Sequence, residues 1–173
     1  MKKRVILIIK VFILLLACFL LFKISQKQAH NKAIALQVQS LPAFRFYGQD
    51  LKPFSSKLLK ENVPVCIFFY DADCEHCQYE ATQISNNIAL FKGTQICMVS
   101  TNTPAITKAF SSTYKLSQYP FITWLYDKDY SFYKWFGSSV TPSVFIYNPK
   151  HNLVKVYQGE VKTEAILKYL AND

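Results

Sequence analysis

The sequence predicts an α/β domain, a central mixed β-sheet flanked by helices, preceded by an N-terminal apolar helix. Three observations lead there. Residues 63–70 and 95–100 are near-continuous apolar runs, the mark of strands buried on both faces of a helix-covered parallel sheet. Stretches with a helical period alternate with such runs, which is the α/β pattern. Late in the chain, Asn148-Pro149-Lys150-His151-Asn152 parts two strand-like runs and turns them into an antiparallel hairpin, so the sheet is mixed.

The first element is the N-terminal helix. Lys2, Lys3 and Arg4 precede an apolar run from Val5 to Phe22 that only Lys10 interrupts. Eighteen residues of helix are just enough to span a bilayer, and Lys10 lies near enough to one end to snorkel. The basic cluster belongs on the cytoplasmic side, which puts the chain beyond Lys23 outside. An uncleaved signal anchor over residues 1–23 is the reading adopted. A lipoprotein signal is the first alternative, because Leu15-Leu16-Ala17-Cys18 partly resembles a lipobox, with Cys18 as the lipidated residue; a cleaved secretory signal is the second. All three export the rest of the chain.

The charge balance agrees. The net charge is +9, but seven of the 20 basic residues and none of the 11 acidic ones lie in the first 32 positions, leaving +2 for the remainder. There is no basic stripe interleaved with aromatics, so nucleic-acid binding is not expected. Five cysteines at irregular spacing are too few for a disulfide scaffold. In an oxidising compartment, however, a Cys-x-x-Cys pair is redox-competent.

Residues 24–40 are polar and read as a tether, and residues 41–173 as the globular domain. Within it, residues 43–48 are expected as a short strand and residues 55–62 as a short helix with Leu58 and Leu59 inward. The strand 63–70 comes next. Cys74, Cys77, Ala81, Ile84, Ile88 and Phe91 then fall at spacings of three and four, one apolar stripe on a helix. Asp71 and Asp73 stand where its N-cap is wanted and Gly93 where it should stop. After the strand 95–100, Thr103-Pro104 opens a helix over 104–116. Residues 121–126 read as strand and 129–136 as a short helix. The hairpin 143–147 and 153–158 comes after them, and Thr163 caps a last helix that carries Ile166, Leu167 and Leu170.

The chemistry concentrates in Cys74-Glu75-His76-Cys77, at a strand-to-helix junction. Spacing i, i+3 puts both sulfurs on one face of the first helical turn, within reach of a Cys74–Cys77 disulfide. The helix N-terminus favours an anion at Cys74, so Cys74 is the candidate nucleophile and Cys77 the resolving cysteine. A charged His76 would favour the thiolate further. Asp71, Asp73, Glu75 and Glu80 oppose it, and the sequence leaves that balance open. Glu80, one turn past Cys77, is either the acceptor of the Cys77 proton or an ordinary exposed helix glutamate. With no second cysteine pair, and His30 and His151 remote in sequence, no metal site is expected. Gln78 after Cys77 excludes covalent haem attachment. Cys66 and Cys97, set among Val and Ile, read as buried thiols without a catalytic part.

Taken together, Cys74-Glu75-His76-Cys77 and the distant Val140-Thr141-Pro142-Ser143 resemble the thioredoxin superfamily. Leu41-Pro42-Ala43-Phe44, Phe54-Ser55, Glu80 and Thr141-Pro142-Ser143-Val144-Phe145-Ile146-Tyr147, with Leu153-Val154-Lys155 and Gly159, resemble its TlpA/ResA-like branch over residues 41–170. The resemblance implies a thioredoxin fold in which Pro142 is a cis-proline opposite the dithiol. Thr141 would offer its backbone to an extended substrate, and Glu80 would be the acid that this branch keeps beside its cysteines. It also implies that residues 117–137 are the strand and helix that TlpA-like and peroxiredoxin-like domains insert. The many aromatics there read as core or, alternatively, as a docking surface.

Two positions depart from the pattern. Asp73 stands where the family usually has tryptophan, and Phe68 where thioredoxin has a buried acid. Glu80 is the nearby substitute.

The implied activity is thiol–disulfide exchange on exported protein thiols, as reductant, with His76, Thr141 and Pro142 at the substrate and no cofactor. The implied partners are exported thiol or disulfide proteins and a membrane redox partner, with the domain on the periplasmic or other extracytoplasmic side. The alternatives are a disulfide oxidase or isomerase, because histidine before the second cysteine also resembles the DsbA pattern, and a non-enzymatic binding module such as a copper carrier or scaffold. A peroxidase of the same fold would need a Pro-x-x-x-Thr/Ser-x-x-Cys frame, which the residues before Cys74 do not supply.

Overall fold

The computed structural model describes residues 2–170, apart from the side chains of residues 2–13, 17, 30 and 31. The chain divides into two compact units, residues 1–36 and residues 37–173.

The first unit belongs to one helix, α1 (Lys2–Gln37). Much of the expected span, residues 5–13 and 17, lies outside the described side chains. Among the described residues no helix is long and apolar enough to cross a membrane. The described apolar side chains of that stretch, Leu14, Leu15, Leu16, Phe19, Leu20, Leu21 and Phe22, are all exposed.

The second unit is built on a seven-stranded sheet of β1 (Arg45–Tyr47), β2 (Pro53–Ser55), β3 (Val65–Phe69), β4 (Gln95–Ser100), β5 (Ile122–Tyr126), β6 (Ser143–Tyr147) and β7 (Leu153–Gln158). Their spatial order is β2-β1-β5-β4-β3-β6-β7. The three central strands β5, β4 and β3 are parallel, while β6 and β7 add on antiparallel. Four helices complete the unit: α2 (Glu75–Asn86), α3 (Pro104–Thr113), α4 (Phe132–Phe136) and α5 (Thr163–Leu167).

The continuous apolar runs are explained by burial on both faces. Every residue of β3 is buried, as is every residue of β4 after Gln95. Side chains alternate across a strand. On one face Cys66, Phe68, Ile96, Met98, Trp124, Val144 and Ile146 pack with Ala81 and Ile84 of α2, Phe110 of α3 and Ile166 of α5. On the other, Phe69 and Phe145 meet a stack of phenylalanines. Phe132 lies 4.1 Å from Phe69 and 4.6 Å from Phe136 between ring centroids, and Phe44 and Phe46 extend the stack from the N-terminal side. Each such burial contributes roughly 2 kcal/mol or more, with about 1 kcal/mol for a good ring pair.

Several local expectations are corrected. Residues 55–62 do not form a helix. Pro53–Ser55 pairs with β1 as a strand, and only a 3₁₀ turn, Ser56–Leu58, comes after it. Leu58 points outward at 63% exposure, whereas Leu59 is buried. The helix after the dithiol ends at Asn86 and resumes as a 3₁₀ turn, Ile88–Phe91, ahead of Gly93, whose φ of 90° closes the segment. Thr163 is the first residue of α5 and not its cap; Lys162 holds the cap position. Residues 129–131 precede α4 in a turn set up by Asp127. That buried carboxylate accepts from the Ser131 N–H and hydroxyl and from the Phe132 N–H, at 2.8 to 2.9 Å.

Candidate active site

β3 delivers the chain through Tyr70 to the loop Asp71-Ala72-Asp73, and α2 begins at once. The N-cap of α2 is Cys74 itself. Its backbone is extended (φ −82°, ψ 116°), and its sulfur accepts the Cys77 N–H at 3.4 Å. Asp71 and Asp73, expected as caps, do not cap the helix. Asp71 instead shapes the loop: its carboxylate accepts the Asp73 N–H and its carbonyl the Cys74 N–H. A thiol as N-cap is an uncommon use of this position, where Ser, Thr, Asp and Asn dominate. It aims the Cys74 sulfur at the unpaired N–H groups of the first turn, where an anion is stabilised.

The second part of the site arrives through sheet register. β6 runs antiparallel to β3 with Ser143 opposite Phe69, so the residues just before Ser143 lie beside those just after Phe69. The Thr141–Pro142 peptide bond is cis. The Thr141 carbonyl oxygen is 3.9 Å from Cys74 Sγ. Ser143 and Ser138 hold this approach: the Ser143 hydroxyl donates to the Val140 carbonyl at 2.6 Å and lies 2.9 Å from the Ser138 hydroxyl, which accepts the Val140 N–H. Both cysteines of the pair are free thiols in this structure, Cys74 half-buried and Cys77 buried. Burial, reinforced by the nearby Cys74 and Glu80, pushes the Cys77 thiol far up.

Glu80 is only 3% exposed, which removes the reading of an ordinary surface glutamate. Burial, with the neighbouring Glu160, raises its carboxyl from 4.5 to about 8, and the nearby Val161 backbone N–H offsets this only in part. Its Oε1 has no hydrogen-bond partner among the described residues. A buried, half-satisfied carboxyl beside a buried thiol is costly to keep, and such groups concentrate at reactive sites.

His76 is placed differently. Its side chain is 70% exposed, and Nδ1 lies 2.7 Å from Glu160 Oε2. Sequence reasoning missed Glu160 and the loop that bears it. No motif marks that loop, and only the packing of the β7–α5 connection against α2 brings it to the dithiol. Cys66 and Cys97 are fully buried in β3 and β4, and burial raises both thiols, Cys97 to about 12. Among the described residues no group of three or more His, Cys, Asp and Glu side chains is arranged to hold a metal.

The inserted segment does two things at once. Trp124, Phe132 and Phe136 are core, while Tyr130 and Tyr133 are exposed at 77% and 45%. Between them a cavity of about 220 Å³, lined by Phe69, Thr101, Tyr130, Tyr133 and Ser138, opens at the end of the sheet that carries the dithiol.

A mixed sheet with β3 leading into a helix capped by the first of two cysteines, and a cis-proline facing that cysteine, defines a redox protein of the thioredoxin-like class. The chain belongs to the AhpC/TSA family, whose model matches residues 38–156. A search of curated proteins finds no match. Among solved structures it is similar to a secreted Mycobacterium tuberculosis disulfide oxidoreductase homologous to E. coli DsbE. The two share 17% identity at a TM-score of 0.64, over 78% of this chain and 96% of that one. It is also similar to the peroxidoxin BcpB from Mycobacterium tuberculosis (18% identity, TM-score 0.64, 76% and 93% covered) and to StoA from Bacillus subtilis (14%, 0.58, 76% and 98%). At these identities the likeness shows the shared fold, which disulfide oxidoreductases and peroxiredoxins have in common.

Proposed function

We propose that this chain is a thiol–disulfide oxidoreductase that reduces exported proteins through Cys74 and Cys77, anchored by its N-terminal helix with the domain on the extracytoplasmic side. The observation that carries the reading is the Cys74 sulfur, at the cap of α2 and 3.9 Å from the carbonyl ahead of the cis-proline.

The Cys74 thiolate attacks one sulfur of a substrate disulfide. That S–S bond breaks, a Cys74–substrate disulfide forms, and the other substrate sulfur leaves as a thiolate that takes up a proton. Cys77 then gives its proton to the Glu80 carboxylate and attacks Cys74 Sγ, which frees the second substrate thiol and leaves Cys74–Cys77 as the disulfide. The substrate gains two electrons, and a membrane redox partner supplies two more that reduce the Cys74–Cys77 disulfide back to the dithiol. A base near 8 is well matched to this proton transfer at neutral pH. The Thr141 backbone is the partner for an extended substrate in this reading, and the exposed His76 side chain a second contact. A reducing direction is supported by the surroundings: Asp71, Asp73 and Glu75 flank the dithiol in sequence, and His76 is tied to Glu160. An anionic setting withholds the thiolate stabilisation that makes a dithiol a strong oxidant.

Membrane attachment is supported by the apolar run with its basic start, and by the exposed Leu and Phe side chains of α1. Lipidation of Cys18 is the alternative means of attachment.

The test is turbidimetric insulin reduction, with dithiothreitol as electron source. The wild-type chain accelerates it, Cys74→Ser abolishes the acceleration, and Cys77→Ser accumulates a mixed disulfide visible on non-reducing gels. Equal acceleration by wild type and Cys74→Ser would overturn the assignment. A reduction potential well above about −270 mV, the thioredoxin value, would make the protein an oxidase or isomerase.

A further inference from the structure

Three consecutive residues from the β7–α5 connection each touch a different part of the dithiol site. The Gly159 N–H donates to the Pro142 carbonyl at 2.8 Å. Glu160 Oε2 lies 2.7 Å from His76 Nδ1. The Val161 backbone N–H faces the buried Glu80 carboxyl closely enough to oppose the rise of its pKa. Gly159 makes this possible with a φ of 92°, in the left-handed region that glycine tolerates best. A loop that bonds the cis-proline and the residue between the cysteines, and faces the buried acid, is part of the site.

We propose that Glu160 is a positioning residue that keeps the Cys74–Cys77 dithiol reducing, by holding the His76 imidazole and cancelling its charge at Cys74. The inference rests on the thiol–disulfide reading above.

The reason is electrostatic. His76 stands between the two cysteines, and a lone imidazolium there would attract the Cys74 thiolate, stabilise the reduced form and make the pair more oxidising. With a carboxylate in contact, the imidazolium and its partner act as a dipole, whose field at Cys74 is far weaker than that of a bare charge. The pair is 70% and 40% exposed, so it adds little to folding stability; its consequence lies in the field. In sequence the ionisable groups near His76 are Asp71, Asp73, Glu75 and Glu80, and those near Glu160 are Lys162 and Glu164.

The experiment is a glutathione redox titration of the full-length chain in detergent at pH 6.0, below the ordinary imidazole midpoint of about 6.5, on wild type, Glu160→Gln, His76→Ala and the double variant. Glu160→Gln is expected to shift the equilibrium about three- to tenfold towards the dithiol, or about 15 to 30 mV upward. In the His76→Ala background the same substitution should have no effect. An equal shift in both backgrounds would show that Glu160 acts directly or through Glu80, and no shift in either would show that it does not act on the dithiol; each result overturns the proposal. If wild type forms no Cys74–Cys77 disulfide at any glutathione ratio, the underlying activity fails, and that result is distinct from the other two.

Discussion

Glu80 shows what a single residue contributes that its type alone does not reveal. In the sequence it is one acid among four near the dithiol. In the fold it is buried, with its carboxyl raised from 4.5 to about 8. The linkage has a definite sign. The unfolded chain loses this proton near 4.5 and the folded chain near 8, so between those values the folded state holds more protons. Stability therefore declines as pH rises through that window, by on the order of 5 kcal/mol in all. Glu80→Gln cannot ionise. It should unfold at a higher temperature than wild type at pH 8 and at about the same temperature at pH 4.5, as thermal scans by circular dichroism would show. The same substitution should slow release of the mixed disulfide by about tenfold or more and remove the rise of that rate with pH towards 8. A variant that is no more stable at pH 8 and no slower would show that Glu80 is neither strained nor used. His76 and Glu160 make the complementary point, for an exposed pair that matters little to stability can still set the field at a neighbouring sulfur.

At the scale of elements, α4 is the instructive case. Five residues are too few to hold a helix by themselves. It persists because Phe132 and Phe136 are buried in the phenylalanine stack, and because Asp127 satisfies two backbone donors ahead of it. Gly137, with φ 68°, ends it in the left-handed conformation. Asp127→Ala should cost about 1–3 kcal/mol in urea unfolding, since it leaves buried N–H groups unpaired. Reaction with a small disulfide should survive, because Asp127 touches neither cysteine nor proline. An Asp127→Ala variant as stable as wild type would mean that the turn needs no cap. The strands were more legible than the helices. A strand covered on both faces writes a continuous apolar run, as residues 63–70 and 95–100 do. Ser55 and Leu58 illustrate the opposite: a short edge strand and a 3₁₀ turn leave a pattern too brief to tell from a helical turn.

At the scale of the whole molecule, residues 1–36 and 37–173 are separate compact units. The redox unit contains the complete sheet and both cysteines of the dithiol. If the first unit is an anchor, the full chain should float with phosphatidylglycerol-containing vesicles and stay with them in 1 M salt, because apolar insertion is not screened as surface attraction is. Residues 37–173 alone should remain in the soluble fraction. Release of the full chain by salt would reduce the first unit to a basic surface contact. The family match over residues 38–156 covers the sheet as far as β7 but stops short of Gly159, Glu160 and Val161, the loop that closes the site.

Apart from the proline facing the dithiol, which only the family resemblance indicated, the sequence by itself determined the order of the buried strands and longer helices and the dithiol at a strand-to-helix junction. These are properties of local period and of residue chemistry at fixed spacing, and a linear reading can see both. Only the tertiary structure decided that Cys74 rather than an aspartate caps α2, that Glu80 is buried and raised, and that Glu160 meets His76 from 84 residues away. Burial and long-range contact depend on how separate elements pack, and no local pattern records where a distant loop will come to rest.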